Sequence, residues 1–237
     1  MSFRKVLTES EYDFCSKIIS ADAFAAIVMH HLATEKGMSC VRASDGERGL
    51  LSHAILGAEL TPFLKDDTWL TRYGVKGADL KQLGLDILEA GNTATFLAPT
   101  ISGVWLPWYS TVNLFYPRPV YVDTFFPYNW ARDLNAADRK TGYVVMDAAK
   151  SVFLAHHEYI KQIDKFKSRG VTTEFSGYPL TSWTQHDEVI AAIQKARPEL
   201  VLICGGPHGK VLVNKISKLK DQQRVVLDTG SAVESVW

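Results

Sequence analysis

Two carboxylates stand two residues apart in the segment Arg42-Ala43-Ser44-Asp45-Gly46-Glu47. The apolar run Met38–Val41 precedes this segment and Leu50–Leu51 follows it. A strand ending in a tight turn that carries Asp45 and Glu47 points both acids at one small volume of solvent. Hard divalent cations take oxygen ligands, and such a pair suits Mg²⁺ or Mn²⁺. Gly46 lets the backbone turn sharply, because glycine tolerates positive φ. These features point to metal-assisted chemistry on a phosphate-bearing substrate. The same residues also read as an ordinary Asp-Gly turn. Arg42, just before the acids, can neutralise a phosphate or bridge to Asp45 as a structural ion pair.

A second group lies near the end of the chain. Gly205-Gly206-Pro207-His208-Gly209 separates the apolar run Leu200–Cys204 from a helical pattern over Lys210–Lys220. Open α/β sheets bind ligands between a strand's carboxyl end and the following helix. Free amides and the positive end of the helix dipole favour a phosphate there, with His208 and Lys210 as added donors. The spacing matches neither a Walker loop nor the dinucleotide fingerprint. The alternative is a tight connection whose glycines allow close packing. Asp228, at the end of the next apolar run, can accept from a sugar hydroxyl, help hold a metal, or cap the following turn. The paired histidines are poor ligand sets. His30 and His31, and His156 and His157 beside Glu158, read as neighbours on helices, about 100° apart and unable to share one metal easily.

The elements that must position these groups are readable in outline. Thr8-Glu9-Ser10-Glu11 has a capping-box pattern that opens a first helix, with Phe14, Ile18 and Ile19 on one face. A second helix is expected from about Asp22 to Lys36, with Phe24, Ile27, Val28 and Leu32 on one face and Gly37 ending it. The strand Ser39–Arg42 leads into the acidic segment. Gly49–Gly57 fits helix or strand. Asp79–Ala90 reads as a helix, Asn92–Leu97 as a strand ending at Pro99, and Ala148–Phe166 as a helix. Thr184-Gln185-His186-Asp187 resembles a capping box before a further helix. Helix, the strand Leu200–Cys204, glycine loop, helix and the strand Arg224–Asp228 make a βαβ signature. The fold class expected is α/β, with a mostly parallel central sheet flanked by helices and a Rossmann-like nucleotide-binding core. Residues 101–130 are rich in Trp, Tyr, Phe and Pro, which excludes a long regular helix. They read as an insertion walling a cleft or as a satellite apolar core.

At 237 residues the chain suits one large domain, here residues 1–237 with that insertion. Its 26 basic and 26 acidic residues leave no global field to attract nucleic acid or anionic membrane. The three cysteines, Cys15, Cys40 and Cys204, are far apart, and the flanks of the last two read as buried strand. That pattern suits a reducing, cytoplasmic setting with small apolar thiols. No signal-peptide pattern opens the chain, and no apolar run approaches the ~20 residues that span a bilayer.

The stretch SCVRASDGERGLLSHAILG resembles the S-x-x-R-x-G-D-G-E segment of glycosyltransferases with the GT-D fold, a group once known as a domain of unknown function. The segment LVLICGGPHGKVLVNKIS…RVVLDTGSAVE is similar to that family's closing strand, glycine loop, helix and D-x-G strand. RPVYVDTFF is similar to its middle R-P-x-x-D stretch. The resemblance runs in order from about Asp22 to Glu234, and only the acidic segment is specific. One position departs: Ser44 stands where the family usually has glycine. The resemblance implies that Asp45 and Glu47 hold a divalent cation, Mn²⁺ or Mg²⁺, on the diphosphate of a sugar nucleotide. Arg42, Ser44, Gly46, Gly205, Gly206, His208, Gly209 and Lys210 would then contact substrate. Its donors are sugar nucleotides, UDP-sugars foremost. Its acceptors imply a glycan or protein here, and a modified DNA base is a further option, since the aromatic middle would suit stacking on a flipped base. The chemistry agrees, because the departing nucleoside diphosphate gains negative charge that a cation offsets. An inverting transferase also needs a base, for which Asp123 and Asp228 are the candidates. Two other activities use the same residues: a metal-dependent phosphate-ester hydrolase, and a non-catalytic nucleotide- or sugar-binding module.

Overall fold

The computed structural model describes residues 17–43, 45–99, 114–118, 121–122 and 141–230. Most of the first predicted helix, Cys15, Ser44, Asp123 and most of the aromatic middle lie outside the described residues; Ile18 and Ile19, expected on that helix, are instead extended and pair with Tyr121 and Val122. Among the described residues the strands are β1 (Ile18–Ile19), β2 (Met38–Ala43), β3 (Phe96–Pro99), β4 (Tyr121–Val122), β5 (Ser151–Ala155), β6 (Glu174–Tyr178), β7 (Leu200–Ile203) and β8 (Val225–Asp228). The α-helices are α1 (Ala21–Ala33), α2 (Asp45–Leu56), α3 (Asp67–Arg72), α4 (Leu80–Thr93), α5 (Thr141–Ala148), α6 (Tyr159–Ser168), α7 (His186–Ala196) and α8 (Gly206–Ser217). Six strands form one sheet in the order β3-β2-β8-β7-β5-β6, and β1 pairs with β4 separately. Every pair in the large sheet is parallel. The expected α/β class with a parallel central sheet and flanking helices is what the chain adopts.

The alternation of side chains along each strand explains why both faces are covered. Val41, Leu97, Phe153, Val201, Ile203 and Val226 point to one face, where α2, α4, α7 and α8 supply Leu50, Ile87, Ile193 and Leu212. Cys40, Val152, Leu154, Leu202 and Leu227 point to the other, against Phe24 and Val28 of α1, Met146 of α5 and Phe166 of α6. Full burial of one such side chain stabilises the fold by about 1.5–3 kcal/mol. The helix patterns hold locally: the Ser20 hydroxyl and the Asp79 carboxylate accept from amides in the first turns of α1 and α4.

Several elements differ from the sequence expectation. The helix expected over Ala148–Phe166 is instead α5's last residue, the strand β5, a turn and α6. Within β5 the buried run Val152–Ala155 is apolar at every position, so periodicity does not separate it from buried helix. His156, His157 and Glu158 therefore lie in the turn after β5. The Asp45-Gly46-Glu47 segment is the first turn of α2, so β2 passes almost directly into a helix. Gly49 lies inside that helix, where a Cβ would sit 2.8 Å from Leu64 Cδ1. α1 ends at Ala33, and Thr34 closes it by donating its hydroxyl to the His30 carbonyl. α4 runs on to Thr93, which shortens the strand after it to β3. The capping box before α7 is Ser182 with Gln185, on the short 3-10 turn Trp183–Gln185.

Candidate active site at the carboxyl edge of the sheet

β2, β8 and β7 are adjacent and parallel, so their carboxyl ends open on the same edge. Alternation places Val226 and Asp228 on one face of β8, which is the face α8 covers. Asp228 is fully buried there. Its Oδ2 accepts from the Lys210 ammonium at 3.0 Å and from the Arg42 backbone N–H at 3.1 Å. Its Oδ1 accepts from the Gly230 N–H at 3.1 Å. Asp228 therefore caps its own turn and pairs with a lysine at once. Lys210, in the second turn of α8, also lies 3.0 Å from Glu47 Oε1, and both side chains are only 3% exposed. Its ammonium donates in addition to the Gly206 carbonyl at 3.3 Å. Arg42 closes the group from β2, with Nη1 donating to the Thr229 carbonyl at 3.3 Å. Gly230 has φ +50°, and a Cβ there would collide with the Arg42 guanidinium. The turn after β8 must be glycine for that guanidinium to fit.

The electrostatics follow from the burial. Burial by itself would lower the Lys210 pKa, but Asp228 and Glu47 outweigh it and hold the ammonium above its ordinary value. Burial, reinforced by Asp228, pushes the Cys40 thiol up, so Cys40 is a packed apolar group and not a nucleophile. Burial and the nearby Glu47 likewise raise Tyr116, whose hydroxyl donates to the Ile87 carbonyl at 3.3 Å. Tyr116 packs so closely over α4 that a Cβ on Gly91 would sit 2.3 Å from its ring.

The glycine loop lies beside this group. β5 and β7 are neighbours, yet the chain leaves β5 for α6 on one face and β7 for α8 on the other. Such a switch of direction is where open α/β sheets form their crevice. The loop is closely packed: a Cβ on Gly205 would lie 2.7 Å from Leu180 Cδ2, and one on Gly206 2.9 Å from Tyr73 Cδ1. Gly209 sits in the first turn of α8, its N–H donating to the Gly205 carbonyl. His208 is buried and pairs with His186, Nε2 of His186 lying 3.0 Å from Nδ1 of His208. Burial pushes His208 down to about 3 and His186 down to about 4. Both imidazoles are neutral near pH 7, one donating and the other accepting. No short-range pattern marks His186 as His208's partner, because the contact joins two helices.

Of the residues singled out from the sequence, Arg42, Glu47, Lys210 and Asp228 converge. Gly205, Gly206, His208 and Gly209 stand at the neighbouring loop. Asp45 and Gly46 begin α2, with their side chains outside the description, and Ser44 and Asp123 are outside it altogether. His30 and His31 lie in the last turn of α1, and His53, near the end of α2, donates its Nδ1–H to the Ala58 carbonyl at 2.8 Å. The described donors do not fit a divalent cation. Glu47 and Asp228 already share the Lys210 ammonium, and among the described residues no three His, Cys, Asp or Glu side chains converge on a metal position.

No family model matches the chain, and no curated protein matches it. A solved structure described as "The highly conserved domain of unknown function 1792 has a distinct glycosyltransferase fold" matches with a TM-score of 0.60 at 14% identity, covering 95% of this chain and 83% of that one. The likeness establishes the fold, a glycosyltransferase-type α/β sheet. It agrees with the fold implied by the Arg42–Glu47 segment. Among the described residues no helix is long and apolar enough to cross a membrane.

Proposed function

We propose that this chain is a glycosyltransferase that takes its sugar from a nucleoside-diphosphate donor, with a UDP-sugar as the first candidate. The observation that carries the reading is the buried group Arg42–Glu47–Lys210–Asp228 at the carboxyl edge of a sheet of glycosyltransferase type. Buried charge is costly to assemble, and groups of this kind at a ligand-binding edge mark functional sites. The donor lies across the carboxyl ends of β2 and β8, beside the first turn of α2. Arg42 and Lys210 are the fixed cations nearest to where the leaving diphosphate gains charge. They sit in a water-poor environment, where such charges act strongly. Asp228 has both oxygens engaged and holds Lys210 in place. Asp45, two residues before Glu47 at the start of α2, is retained as the candidate acid for substrate. Asp123 is retained as a candidate for the base that deprotonates a glycan or protein hydroxyl.

The test is turnover of a sugar-nucleotide panel by the purified protein, with Asp45→Asn alongside. Release of nucleoside diphosphate by the parent protein, lost in Asp45→Asn without a change in melting midpoint, is the expected result. Equal turnover in the two proteins would remove Asp45 from the site. Absence of any turnover or binding across the panel would overturn the proposal.

A further inference from the structure

The glycosyltransferase reading leaves open what supplies the cation at the acidic segment, and the geometry points to Lys210. We infer that the Lys210 ammonium occupies the position in which the D-x-E resemblance implies a divalent ion, so that nucleoside diphosphate binds here without a metal. The inference rests on that glycosyltransferase reading.

Charge balance carries the argument. Lys210 Nζ lies 3.0 Å from a carboxylate oxygen of Glu47 and 3.0 Å from one of Asp228. Arg42 adds a second positive charge close by: its backbone N–H donates to Asp228, its guanidinium donates to the Thr229 carbonyl, and its charge acts on Lys210. Among the described residues the group is thus two cations against two anions, all buried. A buried site draws a divalent cation through uncompensated negative charge, since dehydrating the ion must be offset by the carboxylates that receive it. Here the two described carboxylates are already matched. In the nucleotide-free protein, even a full contribution from Asp45 would leave a bound divalent ion with one positive charge in excess. Displacing the lysine is no easier, because its stem is buried in α8 and its ammonium has three acceptors in reach, Glu47, Asp228 and the Gly206 carbonyl. An ammonium with three donors fills a site of three oxygens. It performs the electrostatic part of a metal's task, a fixed positive charge beside the leaving diphosphate.

The experiment measures UDP binding by calorimetry, with ADP, GDP and CDP as the alternative probes, once in EDTA and once with Mn²⁺. The expected result is a Kd that differs by no more than a factor of about two between the two conditions, the signature of negligible coupling between metal and nucleotide. Lys210→Met should bind UDP weakly in EDTA and recover affinity and melting midpoint when Mn²⁺ is added. UDP binding by the parent protein only in the presence of Mn²⁺ overturns the inference while leaving the glycosyltransferase reading intact. Failure of every nucleotide to bind in either condition overturns the glycosyltransferase reading itself, and the inference with it. The comparison in the parent protein decides the matter even if Lys210→Met does not fold.

Discussion

Two lysines, one at each edge of the sheet, each bridge two carboxylates in different surroundings. At the carboxyl edge Lys210 bridges Glu47 and Asp228, each at 3.0 Å. At the amino edge Lys150 bridges Glu35 at 3.3 Å and Glu199 at 3.1 Å. In both cases the carboxylates raise the ammonium's pKa. The Lys150 side chain is 76% exposed, whereas that of Lys210 is 3% exposed. Water screens the first set and reaches all its members, Lys150 and Glu35 freely and Glu199 in part. It cannot reach the second, so loss of any member leaves a charge buried alone. The amino edge therefore tolerates change, and the carboxyl edge behaves as a unit.

The comparison is broken most severely at Lys210. Lys210→Met is expected to cost about 3–5 kcal/mol in urea unfolding, because Glu47 and Asp228 are left facing each other in the interior. The double variant Glu47→Gln with Lys210→Met restores balance and should recover part of that loss, a non-additivity readable in a double-mutant cycle. Gly230→Ala tests the same unit from the backbone. It places a Cβ against Arg42 at a positive φ and should cost about 1–3 kcal/mol, the usual range for overpacking.

The histidine pair beside the unit sharpens the contrast through pH. His186 and His208 have folded-state pKa values of about 4 and about 3, below the ordinary 6.5. The unfolded chain therefore binds more protons between those values, and stability rises with pH through that window. The stabilisation is whole above pH 6.5 and is lost as pH falls. A decrease of about 2–3 kcal/mol between pH 6.5 and 4.5 is expected from one such depressed imidazole. His208→Asn should flatten that part of a melting-versus-pH profile, and an unchanged slope would exclude the pair as its source. The smallest effect belongs to the amino edge: Lys150→Met should leave the melting midpoint in place at moderate salt.

Much of the sheet was legible because burial on both faces leaves a direct mark in composition. Leu200–Cys204 and Arg224–Asp228 read as strands from their apolar runs, and Gly205–Gly209 marked the passage between them. β5 was missed for the same physical reason, since Val152-Phe153-Leu154-Ala155 is apolar at every position and its neighbours are helical. The site was legible as a set of residue types. Arg42, Glu47, Lys210 and Asp228 each stood out, but the pairing of Lys210 with Glu47 and Asp228 is visible only when the chain is folded.

The sequence by itself determined the class of fold, because hydrophobic period and glycine punctuation act locally and are written residue by residue. It also determined which charged groups stand at strand ends, since alternation along β8 assigns Asp228 its face. Only the tertiary structure decided that Lys210 of α8, Glu47 of α2 and Asp228 of β8 meet, and that His208 meets His186. Those contacts join elements distant in the chain, and their strength depends on the removal of water, a property of packing that no local pattern records.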